Sequence, residues 1–440
     1  MSNNYSLDFS QDIGSYGLGA DYNAPADGCT LCGLCISSCP TYQLESDIRQ
    51  SPMGRIQIMR NIEAENYNYS IDDYVALDSC LVCRNCEDIC PSKVPYSEML
   101  DSAKQSLYIY RNQSFLIRVL MDLAEHPLLL KLFVFMAKPF QQWAKFLLPR
   151  VNSPLIKASL SGFSYLKYAK FKQFKASTPV LHNANYKKVS LFTGCMSSIF
   201  ESNVHQATIK LLQHCGVEVH IPKQQTCCGA IHAHNGNQRK AEELATKNIN
   251  SFNIDSDEPI LSTSSGCGEY LLKYNDLLRD DAHCISNNAM KFSESVSDVS
   301  SYLFISGVLD DVKFLSSNKT IAIHSPCSMR YSTKSVDAVR SLLQLIPGLM
   351  IVDLTDKIAC CGAGGSHMLT HPDASKEIRN KTIDEIEKLK PDILITSNLS
   401  CAVHLKEGFS ENLNDIEVLH PVELIERQLS RKRSNYEFTD

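Results

Sequence analysis

Short apolar runs and longer amphipathic stretches alternate through the second half of this chain, and the alternation repeats itself. Lys187-Lys188-Val189-Ser190-Leu191-Phe192, Val217-Glu218-Val219-His220-Ile221 and Ile260-Leu261 read as strands. The same order returns as Lys319-Thr320-Ile321-Ala322-Ile323-His324, Leu349-Met350-Ile351-Val352 and Ile393-Leu394-Ile395. Phe200 to Cys215 and Thr333 to Ile346 carry apolar residues at helical spacing, and another helical stretch precedes each third strand. Strand, helix, strand, helix, strand in each copy predicts two small α/β modules with parallel sheets, over 185–310 and 318–430. Upstream, 109–184 reads as helical and unusually apolar. Phe115 to Leu148 contains Leu128-Leu129-Leu130 and Leu132-Phe133-Val134-Phe135-Met136, interrupted by Lys131, Lys138 and Lys145, with Arg118 and Arg150 nearby. Pro127, Pro139 and Pro149 divide it into short helices. Basic residues beside an apolar face suit a membrane surface, a partner groove or an ordinary packing layer. Residues 1–28 are polar and read as a mobile leader.

Cysteine spacing adds chemistry to this outline. Cys29, Cys32, Cys35 and Cys39 precede Pro40, and Cys80, Cys83, Cys86 and Cys90 precede Pro91. Both read C-x-x-C-x-x-C-x-x-x-C-P, the run that binds a [4Fe-4S] cluster in two-cluster ferredoxins, where the fourth thiolate crosses to the other cluster. The expected ligand sets are Cys29, Cys32, Cys35 and Cys90 for the first cluster, and Cys80, Cys83, Cys86 and Cys39 for the second. Zinc sites pair two C-x-x-C knuckles over a longer gap and do not repeat this run. Residues 29–108 therefore read as a ferredoxin-like domain. Between the runs, Ile56 to Glu65 reads as a helix over the clusters, and Arg55 and Arg60 as counter-charges or as plain solvated arginines.

The α/β copies carry cysteines in register: Cys195 with Cys327, Cys227-Cys228-Gly229 with Cys360-Cys361-Gly362, and Cys267 with Cys401. Open α/β sheets place their sites at the carboxyl ends of strands, where these cysteines fall. Four thiolates per module, Cys195, Cys227, Cys228 and Cys267 or Cys327, Cys360, Cys361 and Cys401, can hold iron–sulfur or zinc, or serve structure alone. Cys215 and Cys284 match no repeat position and read as small core residues. His232, His234, His324, His404 and His420 lie near these cysteines as ligands, proton carriers or hydrogen-bonding side chains.

Composition narrows the class. The chain has 440 residues and a net charge of −6, which argues against nucleic acid as the main partner. The first residues lack the apolar core of a signal peptide. Eighteen cysteines in a cytoplasmic chain point to metal rather than disulfides. No apolar stretch reaches bilayer length, so a soluble or peripheral protein is expected. Gly14, Gly17 and Gly19 follow no strand, and Gly362-Ala363-Gly364-Gly365 lacks the Lys-Ser/Thr of a phosphate loop, so neither reads as a nucleotide site. Arg431-Lys432-Arg433 reads as solvated.

The paired cysteine modules resemble the CCG, or cysteine-rich, domain of the heterodisulfide reductase B and D family. That family's motif ends in C-x-x-C, and Ser264 and Asn398 stand where its first cysteine would be. Two ferredoxin runs followed by two such modules resemble the iron–sulfur subunits of flavin-linked 2-hydroxy-acid and glycerol-phosphate dehydrogenases, above all those of glycolate oxidase (glycolate dehydrogenase). The likeness lies in Cys39-Pro40-Thr41-Tyr42-Gln43-Leu44, Gly54-Arg55-Ile56, Leu77-Asp78-Ser79-Cys80 through Glu87, Cys90-Pro91-Ser92 with Val94-Pro95-Tyr96-Ser97, His324-Ser325-Pro326-Cys327, and Ser397-Asn398-Leu399-Ser400-Cys401. A serine-alanine-glycine run is expected where Gly364-Gly365-Ser366 stands. The resemblance implies an electron-transfer subunit with two [4Fe-4S] clusters, with the modules as candidates for a further iron–sulfur or metal site, beside FAD-containing subunits that oxidise glycolate. Its acceptor would be a membrane quinone or quinone-linked carrier, reached peripherally at the inner face of the cell membrane. No flavin or nicotinamide fingerprint is present, so hydride chemistry belongs to partners. Competing readings are the C subunit of an anaerobic glycerol-3-phosphate dehydrogenase or a lactate-type relative, a catalytic disulfide reductase, and a zinc-stabilised scaffold.

Overall fold

The computed structural model describes residues 28–63, 70–108, 115–140, 143, 146, 162, 164–171, 187–256, 258–279, 283–354 and 360–430. The leader with its three glycines, Lys145, Pro149, Arg150, the Arg431–Arg433 tail and the Cys284 side chain lie outside the described residues.

The repeated pattern folds into two sheets, all parallel. β1 (Lys188–Phe192), β2 (Glu218–His220), β3 (Ile260–Ser262) and β4 (Val296–Asp298) lie in the order β2-β1-β3-β4. β5 (Thr320–Ile323), β6 (Met350–Asp353), β7 (Ile393–Ile395) and β8 (Glu417–Leu419) lie in the order β6-β5-β7-β8. The central strands are buried along almost their whole length because helices cover both faces. Each sheet has a fourth strand, β4 or β8, beyond the expected three. These strands have three residues and carry Ser297 and Asp298 or Glu417, which leaves little periodicity to read.

Twelve helices of the described residues position the site. The ferredoxin-like half holds α1 (Pro52–Glu63) and α2 (Tyr96–Ser106), and the apolar segment holds α3 (Phe115–Ala124) and α4 (Pro127–Ala137). The first module contributes α5 (Ser202–His214), α6 (Gln238–Ile249), α7 (Ser265–Leu272) and α8 (Val299–Ile305). The second contributes α9 (Val336–Gln344), α10 (Pro372–Leu389) and α11 (Leu399–Glu411), and α12 (Pro421–Arg427) closes the described chain. The expected helix at Ile56 starts four residues earlier, at Pro52, a residue pre-set for a first helical turn. Pro127 likewise opens α4 at its first position.

The modules share one core. Leu191, Leu211, Leu212 and Val299 pack in a single cluster with Ile323, Leu342, Val422 and Ile425, as α5 packs on α12 and α8 on α9. α7 and α11 begin face to face at the junction. Ser265 N donates to Ser397 O at 2.9 Å, Leu399 N to Ser264 Oγ at 3.4 Å, and Asn398 Nδ2 to Ser265 Oγ at 3.4 Å. Ser264 and Asn398 therefore hold the modules together, and Asn398 also caps α11 by accepting from Ser400 N and Cys401 N.

The ferredoxin-like half has its own core of Ile56, Ile58 and Met59 against Leu77, Met99, Leu100 and Ala103. It sits on both modules. Arg84 forms an ion pair with Glu269 of the first at 2.8 Å and donates to Ser332 Oγ of the second at 2.7 Å. His367 Nε2 lies 3.1 Å from Ser79 O, and Tyr331 Oη donates to Asn85 Oδ1 at 3.1 Å.

Candidate metal centres

The eight leading cysteines face two cavities. One, with about 460 Å³ of free space, is lined by Cys29, Cys32, Cys35 and Cys90, with Cys86 at its edge. The other, of about 320 Å³, is lined by Cys39, Cys80, Cys83 and Cys86. Pro52, Cys86 and Tyr96 line both, so the cavities are neighbours. Each cavity takes three thiols from one loop and a further one from the end of the other, Cys90 beside the first loop and Cys39 beside the second.

Both loops wind alike. Leu31 and Gly33 take positive φ in the first, and Val82 and Arg84 take it at the same two offsets in the second. A β-branched residue at φ +52°, as Val82 is, is an outlier that packing must enforce, and such strain gathers at functional sites. The winding turns backbone N–H groups toward sulfur: Val82 N donates to Cys80 Sγ at 3.5 Å. Among the described residues, the two cavities are lined by thiols and by no carboxylate or imidazole. That donor set fits iron–sulfur clusters.

Arg55 is 1% exposed, which removes the solvated reading of this residue. Its guanidinium donates to Ala76 O at 2.6 Å, Gln50 Oε1 at 2.9 Å, and Thr41 Oγ1 and Ser79 Oγ at 3.0 Å each, and reaches Cys39 Sγ at 3.8 Å. Burial works against its charge, but Tyr96, Cys80 and Cys39 outweigh that and strengthen its hold on the proton. Arg60 is half-buried and donates to Cys29 O at 2.9 Å. Tyr96, itself buried, donates to Cys80 Sγ at 3.7 Å.

The second loop touches the second module. Leu81 and Cys83 pack with Cys360 and Ile378, with Cys327 beside them. Cys83 and Cys360 are hydrogen-bonded, which together with burial pushes the Cys83 thiol up. Behind them, Cys361 Sγ lies 2.7 Å from Cys401 Sγ, and the donor atoms of His324, Cys361 and Cys401 all lie within 4.8 Å of one another. Burial, then Arg330, lowers the His324 pKa to about 3, so the ring is neutral and able to bind a metal. Sequence placed His324 only among several nearby histidines; its position one residue past β5 was the available signal.

In the first module, the free thiols of Cys195 and Cys227 are hydrogen-bonded, as are those of Cys228 and Cys267. Tyr274 Oη donates to Cys228 O at 2.8 Å. Cys195 and Cys227 lie under α4, in one apolar cluster with Leu130 and Val134. The remaining histidines take hydrogen-bonding or ion-pair roles. His234 meets Asp101 at 3.3 Å, His404 bridges Tyr165 and Ser375, His420 caps α12, and His232 faces Glu125 at 3.8 Å. Cys215 packs half-buried against the shared core.

A 4Fe-4S dicluster domain model matches residues 25–94, and a cysteine-rich domain model matches 189–271 and 321–406. The chain is 29% identical over 407 residues to the glycolate oxidase iron-sulfur subunit of Escherichia coli K12, covering 92% of this chain and 94% of that one. It is 27% identical over 423 residues to the probable glycolate oxidase iron-sulfur subunit of Bacillus subtilis 168, with the same coverage. Lactate utilization protein A of Macrococcus caseolyticus is 28% identical over 243 residues, covering 55% of this chain and 97% of its own.

Proposed function

We propose that this chain, an iron–sulfur oxidoreductase subunit built from a 4Fe-4S dicluster domain and two cysteine-rich domains, takes electrons from a flavin subunit that oxidises glycolate to glyoxylate and delivers them toward a membrane quinone. The observation that carries this reading is the sorting of eight thiols onto two adjacent cavities, with the second loop pressed against a further cysteine group. A bound [4Fe-4S] cluster supplies a one-electron carrier, which suits a partner flavin that gains two electrons at once and releases them singly. The residues of this chain prepare such a path. Cys29, Cys32, Cys35 and Cys90 would hold the outer cluster, and Cys32 is exposed. Cys39, Cys80, Cys83 and Cys86 would hold the inner one, in a wall to which Arg55 and Tyr96 also contribute. The Cys83–Cys360 contact brings the second module's cysteines directly against the inner site. Hydride transfer is left to the partner.

Anaerobic co-purification with the flavin subunits tests this. Glycolate should reduce the complex and develop the electron paramagnetic resonance signals of two interacting [4Fe-4S] clusters. Cys83→Ser should remove one signal and stop quinone reduction while the flavin is still bleached by glycolate. Zinc without acid-labile sulfide, or full-rate quinone reduction by Cys83→Ser, would overturn the reading. Lactate and glycerol 3-phosphate, run in parallel, identify the substrate.

A further inference from the structure

α4 is apolar on every side, yet only one side is covered. With roughly 3.6 residues per turn, Leu130, Phe133, Val134 and Ala137 fall on one face and Leu128, Leu129, Leu132, Phe135 and Met136 on the other. The first face packs onto the first module, with Leu130 and Val134 buried against Cys195, Ile199 and Cys227. The second stands in solvent: Leu128 is 81% exposed, Phe135 65% and Met136 55%. Further along the chain, Phe140, Trp143 and Phe146 are also more than half exposed. A helix that is hydrophobic all round is normally buried all round, and a contiguous exposed apolar surface marks an interaction site.

The charge pattern chooses the occupant. From Pro127 to Arg150 the sequence has Lys131, Lys138, Lys145 and Arg150 and no aspartate or glutamate, within a chain of net charge −6. From Leu128 to Met136, Lys131 is the one polar side chain. A protein partner would want hydrogen-bonding groups at a regular density and few lysines, whereas a lipid surface needs none of the former and rewards the latter. Apolar side chains with a tryptophan, edged by basic residues, are the composition of a segment lying in the bilayer interface. No helix among the described residues is long and apolar enough to cross a membrane, and α4 has 11 residues.

We infer that the outer face of α4, extended through Phe140, Trp143 and Phe146, docks this chain on an anionic phospholipid bilayer. This deepens the quinone-linked reading and rests on it for its purpose. It places Cys195 and Cys227 directly beneath the lipid-facing helix, the position from which a lipid-borne acceptor is approached.

Trp143 is the only tryptophan in the chain and reports on the face itself. The purified full chain with its clusters is mixed with phosphatidylcholine vesicles containing about one-third phosphatidylglycerol, and with pure phosphatidylcholine vesicles. Co-sedimentation with the anionic vesicles, a shift of Trp143 emission to shorter wavelength and quenching by brominated lipid are expected, all weakened by salt. Leu128→Glu combined with Phe135→Glu should reduce vesicle binding by about tenfold or more while leaving the visible absorption of the clusters unchanged. Absence of wild-type binding, or wild-type binding by the double variant, overturns the inference. So does a variant that binds vesicles normally but loses the flavin subunits or self-association, which would assign the face to protein. No flavin subunit, hydroxy acid or quinone is present in the vesicle assay, so its failure leaves the electron-transfer reading standing.

Discussion

Arg55 is a charge that the fold has taken out of water without giving it a carboxylate. An unpaired buried cation costs several kcal/mol, so its compensation must come from what surrounds it. Four oxygen acceptors fix the guanidinium plane, and Tyr96, Cys80 and Cys39 lie close enough to strengthen its hold on the proton. Cluster potential responds to net charge and to hydrogen bonds on sulfur. A fixed positive charge at this distance favours the reduced, more negative state. At an effective dielectric of about 20 one such charge is worth roughly 2–3 kcal/mol, or about 100 mV for one electron. Arg55→Gln should therefore lower the potential of the inner cluster by tens of millivolts and leave the outer one unmoved, with Arg55→Lys in between. Redox titration followed by electron paramagnetic resonance measures both. Two unchanged potentials in a cluster-replete Arg55→Gln protein would show that the arginine serves packing alone.

At the scale of elements, α1 delivers Arg55 to its place, and Gly54 lets it come close enough. A Cβ on Gly54 would fall well inside contact distance of the Ile48 carbonyl. Because the obstacle is backbone, relief requires α1 to move, and Arg55 moves with it. Gly54→Ala should destabilise the ferredoxin-like half by about 2 kcal/mol or more and bleach the inner cluster faster than the outer one under mild chelation. Equal bleaching of the two would refute the coupling. The sequence carried much of this level. Six of eight strands announced themselves because their short apolar runs recur in both copies, whereas β4 and β8 carry too few residues and too many polar ones. The start of α1 was legible in Pro52 but hidden behind the apolar run that begins at Ile56. The face of α4 that stays uncovered was not legible, since an apolar helix reads the same whether or not both its sides are packed.

For the whole molecule, the decisive fact is where the ferredoxin-like half rests, and local spacing says nothing of it. Each cysteine group could be picked out from its own loop. That Cys83 would meet Cys360, 277 positions away, depends on the docking surfaces made by Arg84, Tyr331 and His367. Arg84 is central because it binds Glu269 and Ser332, one from each module, and so fixes the angle at which the second loop enters. This contact can be read chemically. In the metal-free chain, diamide should oxidise the two thiols to a Cys83–Cys360 disulfide, itself being reduced to the hydrazine, and peptide mapping should recover the pair. Arg84→Ala should reduce its yield several-fold while Cys361–Cys401, held within a single module, forms as before. Unchanged yield in Arg84→Ala would mean that the apolar patch of Leu44, Leu81 and Ile378 suffices to seat the loop. Absence of the cross-link in the parent chain would mean that the inner site and the second module are not in contact, and the electron path would then have to leave the ferredoxin-like half by another surface.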